Sequence, residues 1–355
     1  MLTRRALLIS ATALLPLPLA APAFAQSDGP IQVVATFSIL GDMVKRIGGE
    51  HVAVKTLVGP NGDAHVYQPT PADARTVSEA EILVVNGLEF EGWLDRLVDA
   101  TDFDGMRVVA TAGIKPISFD DDHDEHHDEH DEHDEHEEHD EHDEHDEHDE
   151  HEEHAEHDEH DEDEEHEEHA EADHDDHHHG AFDPHAWQSF ANAVVYVDNI
   201  TAALSQANPA NATDFYQNRA AYVAEIEALD AEIREIMEGL PADHRTVVTS
   251  HDAFQYFARY YGLTFVAPQG LSTESEASAK DVAHLIEQIR EQGIRAVFVE
   301  NIGDSRLLER IADETGAGIG GTLYPDALSG PDGPAGTYLD MMRHNATTIA
   351  QALNP

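Results

Sequence analysis

"NATDFYQNRAAYVAEIEALDAEIREIMEGL", residues Asn211 to Leu240, carries apolar residues at helical spacing with no proline, and no glycine until Gly239. The run predicts a single helix of about eight turns, opened by Asn211 as its cap. A helix of that length in mid-chain is long enough to link two lobes, and the flanking patterns supply them. On the N-terminal side "IQVVATFSIL" (Ile31 to Leu40) reads as a buried strand entering a helix. "HVAVKTLV" (His51 to Val58), "EILVVNG" (Glu81 to Gly87) and "MRVVATAG" (Met106 to Gly113) read as three more strands, with helical patterns such as "PADARTVSEA" and "EGWLDRLVDA" among them. On the C-terminal side "RTVVTSH", "TFVAP", "IRAVFVE" and "GIGGTLY" alternate with "DAFQYFARYYGL", "AKDVAHLIEQIREQG" and "DSRLLERIADETG", and "TYLDMMRHNATTIAQAL" closes the chain as a helix. This alternation predicts an α/β fold of two lobes, each with a mostly parallel sheet flanked by helices, joined by one long helix. The expected divisions are a first lobe over 26–210, the linking helix over 211–240 and a second lobe over 241–355. Ligands of such sheets bind outside the carboxyl ends of strands, and pockets favour domain interfaces.

The first lobe is interrupted by a tract from Asp120 to His179 that holds 20 of the chain's 27 histidines and half of its 74 acidic residues. With almost no apolar residue it cannot bury a core, so it is expected to be a disordered insertion in a loop. The tract accounts for most of the formal net charge of −55. The rest of the chain keeps a milder acidic excess, which argues against nucleic acid as a partner. Residues 1–25 read as an export signal: Arg4 and Arg5 precede an apolar run, and Ala23-Phe24-Ala25 fits a cleavage site. The twin arginines leave Sec and Tat export both open. There is no cysteine, which excludes disulfides, thiolate metal sites and lipid attachment through a cysteine. A free periplasmic protein is expected, and any tight metal site must use nitrogen and oxygen ligands.

Seven histidines lie outside the tract, and three occupy distinctive places. His65 sits in the glycine- and proline-rich "GPNGDAHVYQPTP" after the second strand, His185 in "FDPHAWQS" where folding resumes, and His251 at the end of "RTVVTSH". Each is near a predicted strand end, where loops can converge. Neutral imidazoles alone leave a dication uncompensated, so a carboxylate partner is sought. Asp326 in "TLYPDALS" and Glu300 at the end of "AVFVE" are the two candidates, and spacing does not choose between them. Enzyme motifs are lacking: "GAGIGG" (Gly316 to Gly321) follows a helix and enters a strand, opposite to the dinucleotide arrangement, and no H-E-x-x-H occurs.

"GDAHVYQPTP", "DPHAWQS", "VVTSHDAFQYFARYYGL" and "GTLYPDALSGPDGPAGTYLDMMRHN" together resemble, in order, four signature segments of the zinc and manganese solute-binding proteins of bacterial ABC transporters. The resemblance spans nearly all of the chain outside the signal and the tract. It implies one metal ion in the interlobe cleft, held by His65 and His185 from the first lobe and His251 and Asp326 from the second. It also implies zinc as the metal, because the third ligand is often His in zinc importers and Glu in manganese importers; imidazole suits zinc and oxygen-rich sites suit manganese. Ala64 stands where the family has proline, which predicts a looser loop, and Gln68 stands where glutamate is frequent.

On this basis the chain is expected to be a periplasmic, monomeric zinc-binding component of an ABC importer, not an enzyme. It would deliver Zn²⁺ to an inner-membrane permease, with a periplasmic metallochaperone as a further partner. Manganese is the alternative metal. The tract resembles the His-rich loop of zinc-binding members and is expected to hold several weak sites beside the tight one in the cleft. The competing expectation is a periplasmic zinc buffer or metallochaperone that works without a transporter.

Overall fold

The computed structural model describes residues 29–118 and 182–354. The expected export signal over 1–25 and the His-rich tract over 120–179 lie outside the described residues. The first lobe contains β1 (Ile31–Phe37), α1 (Ser38–Gly48), β2 (Val52–Val58), α2 (Pro71–Ser78), β3 (Ile82–Val85), α3 (Leu94–Asp99), β4 (Met106–Val109) and α4 (Phe190–Ala207). After α5 (Ala212–Glu238) come β5 (Thr246–Val248), α6 (Gln255–Tyr261), β6 (Thr264–Val266), α7 (Ala279–Gln292), β7 (Ala296–Glu300), α8 (Arg306–Thr315), β8 (Gly318–Leu323) and α9 (Tyr338–Leu353).

Both sheets are wholly parallel, and both have the same order: β2-β1-β3-β4 in the first and β6-β5-β7-β8 in the second. Parallel strands covered by helices on both faces need continuous apolar runs rather than alternation. β3, "ILVV", is buried at all four positions. In each sheet the chain goes to one side of the first strand and then to the other, which places a topological switch point between β1 and β3 and between β5 and β7. The loops leaving those carboxyl ends are the ones that face the opposite lobe.

The linking helix runs over 27 residues and buries Phe215, Tyr222, Val223, Ile226, Leu229, Ile233 and Met237, a length of about 40 Å. Asn211 does not cap it with its side chain; the chain enters α5 through a 3-10 turn over Pro209–Asn211 instead. α5 packs on α1 and α4 of the first lobe and on α6 and α9 of the second. The segment after the tract, to which the sequence pattern assigned no element, contains the 18-residue α4, which turns Phe190, Ala193, Tyr196, Val197, Ile200 and Leu204 inward. One apolar core runs through both lobes, and a smaller one of Val248, Leu285, Ile289, Val297, Leu308, Ile311 and Ala312 lies under α7 and α8. No helix of the described residues is long and apolar enough to cross a membrane.

α1 crosses β2 so closely that a methyl group at Gly41 would run into Thr56 Cγ2, and one at Gly48 into the γ-methyls of Val52. Glycine in a helix interior costs about 1 kcal/mol relative to alanine, so its presence here reflects close packing. Gly41→Ala is expected to destabilise the metal-free protein by about 1–3 kcal/mol despite the gain in helix propensity, read from the urea unfolding midpoint.

Candidate metal centre

Each of the four residues singled out by sequence stands just beyond a strand or on a turn built for it. His65 lies on the loop between β2 and α2, where Asp63 Oδ1 accepts the His65 backbone N–H at 2.9 Å. Ala64 is fully buried and its carbonyl accepts the Trp93 indole N–H at 2.7 Å, so this loop is tied down without the proline. His185 opens a 3-10 turn, Ala186–Gln188; Asp183 Oδ1 accepts its backbone N–H at 2.9 Å and lies 2.8 Å from its Nδ1. His251 follows β5, and Asp326 follows β8. Pro325, next to Asp326, offers its carbonyl to Trp187 Nε1 at 2.9 Å and Gln188 Nε2 at 2.8 Å, which ties the His185 turn to the Asp326 turn across the lobe boundary.

The three imidazole Nε2 atoms converge on the Asp326 carboxylate. His251 Nε2 is 3.1 Å and His65 Nε2 3.2 Å from Oδ2, and His185 Nε2 is 3.6 Å from Oδ1. His65 Nε2 and His185 Nε2 are 3.4 Å apart. One potential ligand atom from each residue lies within 4.8 Å of all the others. Four ligands placed tetrahedrally around zinc at their usual bond lengths stand roughly 3.3 Å apart, so the cluster is close to the size of such a shell. His185, His251 and Asp326 are fully buried and the His65 side chain is 4% exposed. Asp326 Oδ1, although buried, has no hydrogen-bond donor among the described residues, which is the signature of a group awaiting a cation.

Glu300, the alternative to Asp326, has another place. Its Oε1 accepts the backbone N–H of Ser250 at 3.0 Å and of His251 at 3.2 Å, and its Oε2 lies 2.6 Å from His251 Nδ1. Asp183 serves His185 in the same way. A carboxylate on Nδ1 holds the proton there and leaves the Nε2 lone pair directed at the centre.

The electrostatics follow from burial and these partners. Burial lowers the pKa of His65 in spite of Asp326. Burial opposes charge on His251 as well, but Glu300 and Asp326 outweigh it and raise that pKa well above the usual imidazole value. Burial also opposes the charge on Asp326, yet His185 and His251 hold its carboxyl well below the usual range. The centre therefore offers one permanent carboxylate and imidazoles of unequal basicity, a donor set suited to zinc and other first-row divalent ions.

Sequence reasoning missed Asp183 and the group beneath it. Glu91 is buried, and burial pushes its pKa up. It accepts from Thr36 Oγ1 at 2.5 Å, Asn86 N at 2.7 Å and Gly87 N at 3.3 Å. Asn86 Nδ2 in turn donates to Pro184 O at 2.9 Å, supporting the His185 turn. The repeated Asp-x-His of "DAH" and "DPH" is the one sequence signal from which Asp183 could have been found. Of the other histidines outside the tract, His51 pairs with Asp214, His244 with Leu353 O, His344 with Thr322 O, and His284 is exposed on α7.

Two parallel-sheet lobes closed over a buried cluster of three imidazoles and a carboxylate define the class of a cation-binding protein. A family profile described as "Zinc-uptake complex component A periplasmic" matches residues 33–352, and the chain belongs to that family of extracytoplasmic metal-binding proteins of ABC transporters. It is 31% identical over 320 residues to the iron-binding protein YfeA of Yersinia pestis, covering 90% of this chain and 85% of that one. It is 30% identical over 335 residues to the zinc-binding protein TroA of Treponema pallidum, covering 93% and 91%. The manganese-binding lipoprotein MntA of Bacillus subtilis is 30% identical over 332 residues, covering 92% and 91%. The solved structure of Treponema pallidum TroA superposes with a TM-score of 0.73 at 27% identity, covering 92% of this chain and all of that one.

Glu300→Gln keeps the size of the side chain but weakens its hold on the Nδ1 proton, and is expected to reduce metal affinity roughly 10- to 100-fold in a competitive titration, with the metal-free fold unchanged by circular dichroism. A cation must displace the proton that Glu300 and Asp326 stabilise on His251. Below the raised pKa of that imidazole, affinity is therefore expected to fall as pH falls, by about tenfold per pH unit for each proton displaced, with matching proton release on binding seen by calorimetry in buffers of different ionisation enthalpy.

Proposed function

We propose that the protein captures Zn²⁺ in the periplasm through His65, His185, His251 and Asp326 and delivers it to the inner-membrane permease of an ABC importer. The observation that carries this reading is the convergence of three imidazole Nε2 atoms on one buried carboxylate. Three nitrogens and one carboxylate favour zinc over manganese, which prefers oxygen, and the third ligand is His251 where a manganese site would favour a carboxylate. The relatives named for zinc, manganese and iron make the metal a matter for this donor set and not for kinship. Because the sequence has no cysteine to carry a lipid, the protein is proposed to be free of a lipid anchor, unlike the lipoprotein relatives, and it is proposed to act as a monomer.

The tract over 120–179 is proposed to collect zinc through several weak sites, loaded directly or by a periplasmic metallochaperone. Its described flanks support this. Ser118 and Phe182 pair as an antiparallel bridge, and Asp183 N donates to Ile117 O at 2.9 Å. The insertion therefore leaves and re-enters the fold at one point, three residues from His185. The abundance of tract histidines also favours, as the second reading, a zinc buffer that needs no transporter.

A competitive titration of the mature chain lacking 121–178 distinguishes them. One tight Zn²⁺, lost in His251→Ala, with Mn²⁺ bound about 100-fold more weakly, is the expected result. Loss of tight zinc on deleting the tract would move the metal site there and overturn the importer reading.

A further inference from the structure

The two Asp-x-His turns are alike in their first hydrogen bond and differ in their second. In both, Asp Oδ1 accepts the histidine backbone N–H at 2.9 Å. Asp183 Oδ1 also holds His185 Nδ1, and Glu300 holds His251 Nδ1. His65 has no carboxylate on its Nδ1 among the described residues. Its ring rests edge-on against Phe90, with centroids 4.7 Å apart. The second oxygen of Asp63 points instead to the other lobe, where Oδ2 accepts from Thr273 Oγ1 at 2.7 Å.

Thr273 lies on the loop that follows β6, and that loop is bonded to the backbone on either side of His251. Gln269 N donates to Ser250 O at 3.3 Å, and Asp252 N donates to Gly270 O at 3.0 Å. A line of hydrogen bonds thus runs from His65 through Asp63 and Thr273 to the chain carrying His251. A second crossing lies beside it: Asn301 Nδ2 donates to Asn61 Oδ1 at 3.0 Å and Asn61 N to Leu328 O at 2.9 Å. Asn61 is exposed and Asp63 and Thr273 are half-buried. The crossings from Trp187 and Gln188 to Pro325, and from Leu328 N to Ser38 Oγ at 2.9 Å, are buried.

We infer that Asp63 is a positioning residue which, through its bond to Thr273, couples the docking of the two lobes to the placement of His65, making the Asp63–Thr273 contact the latch that sets how fast metal leaves. This rests on the proposed ligand set. The latch is half-buried, and of the three imidazoles it acts on the one whose ring, among the described residues, has no carboxylate on its Nδ1. Breaking it releases Asp63, which holds the His65 backbone N–H, from the second lobe without touching a ligand.

The test is stopped-flow release of Zn²⁺ to a chromogenic chelator from the full mature chain loaded with one equivalent. Thr273→Val, which keeps the shape and removes the hydroxyl, is expected to speed release roughly tenfold or more, with the urea midpoint of the metal-free protein unchanged. Thr273→Ser, which restores the donor, is expected to return the rate to within about threefold of the starting protein. A merely structural role would not show this rescue. His65→Ala in parallel separates the two ideas. If it keeps the tight zinc, the ligand set fails and the latch with it. If it loses the tight zinc while Thr273→Val releases at the unaltered rate, or Thr273→Ser accelerates release as much as Thr273→Val does, the ligand set stands and the latch is overturned.

Discussion

Asp326 is a carboxylate with no exposure to water, and one of its oxygens has no donor among the described residues. Removing such a charge from water costs several kcal/mol even after the surroundings relax, so a positive charge has to be brought to it. Among the described residues the candidates within reach are the three imidazoles and whatever they hold between them. Without metal, the proton favoured on His251 supplies part of that charge. A divalent cation supplies it in full and uses the lone pairs of all three rings. Burial that is unfavourable for an isolated carboxylate thus becomes selectivity for a state in which a cation is present.

The topology explains how four side chains from distant parts of the sequence reach one point. Both sheets have the order second-first-third-fourth, so both have their switch point beside the first strand, and the two face each other. A buried glutamate stands at or just beyond the end of the third strand in each lobe. In the first lobe Glu91 organises the β1 and β3 ends and, through Asn86, the turn before His185. In the second, Glu300 organises the β5 end and touches His251 directly. The same strand order thus supports an indirect brace in one lobe and a direct one in the other.

The strands and helices were legible because parallel strands covered on both faces must be continuously apolar and the helices between them are amphipathic. α4 is also encoded in the sequence, in the inward series Phe190, Ala193, Val197, Ile200 and Leu204. Spacing left Asp326 and Glu300 open, and only the resemblance of "GTLYPDALSGPDGPAGTYLDMMRHN" to a family segment pointed to Asp326. Both are acids at strand ends, and which one faces the Nε2 side of His251 depends on three-dimensional placement that strand-end position does not encode. Glu91 was hidden for a related reason: "EFEGW" looks like the start of an exposed helix, while the turn through Gly87, Leu88 and Glu89, all at positive φ, rotates its carboxylate into the interior.

A binding protein must also let its cargo go, and the distribution of contacts between the lobes limits how. On the α5 and α9 side the boundary is a continuous apolar core reinforced by Tyr338 OH to Trp187 O at 2.7 Å and by the two bonds to Pro325 O. Interiors packed at crystal-like density do not slide in small steps, and separating these surfaces would expose apolar area and strand buried donors. That edge therefore resists separation more than the other. The opposite edge is made of asparagine, aspartate and threonine side chains whose bonds water can replace at little net cost. His185 and Asp326 are bound to the resistant edge through Trp187, Gln188 and Pro325, whereas His65 stands on the replaceable one. Opening there withdraws an imidazole before it disturbs the carboxylate, so the cation loses a neutral ligand first and its counter-charge last.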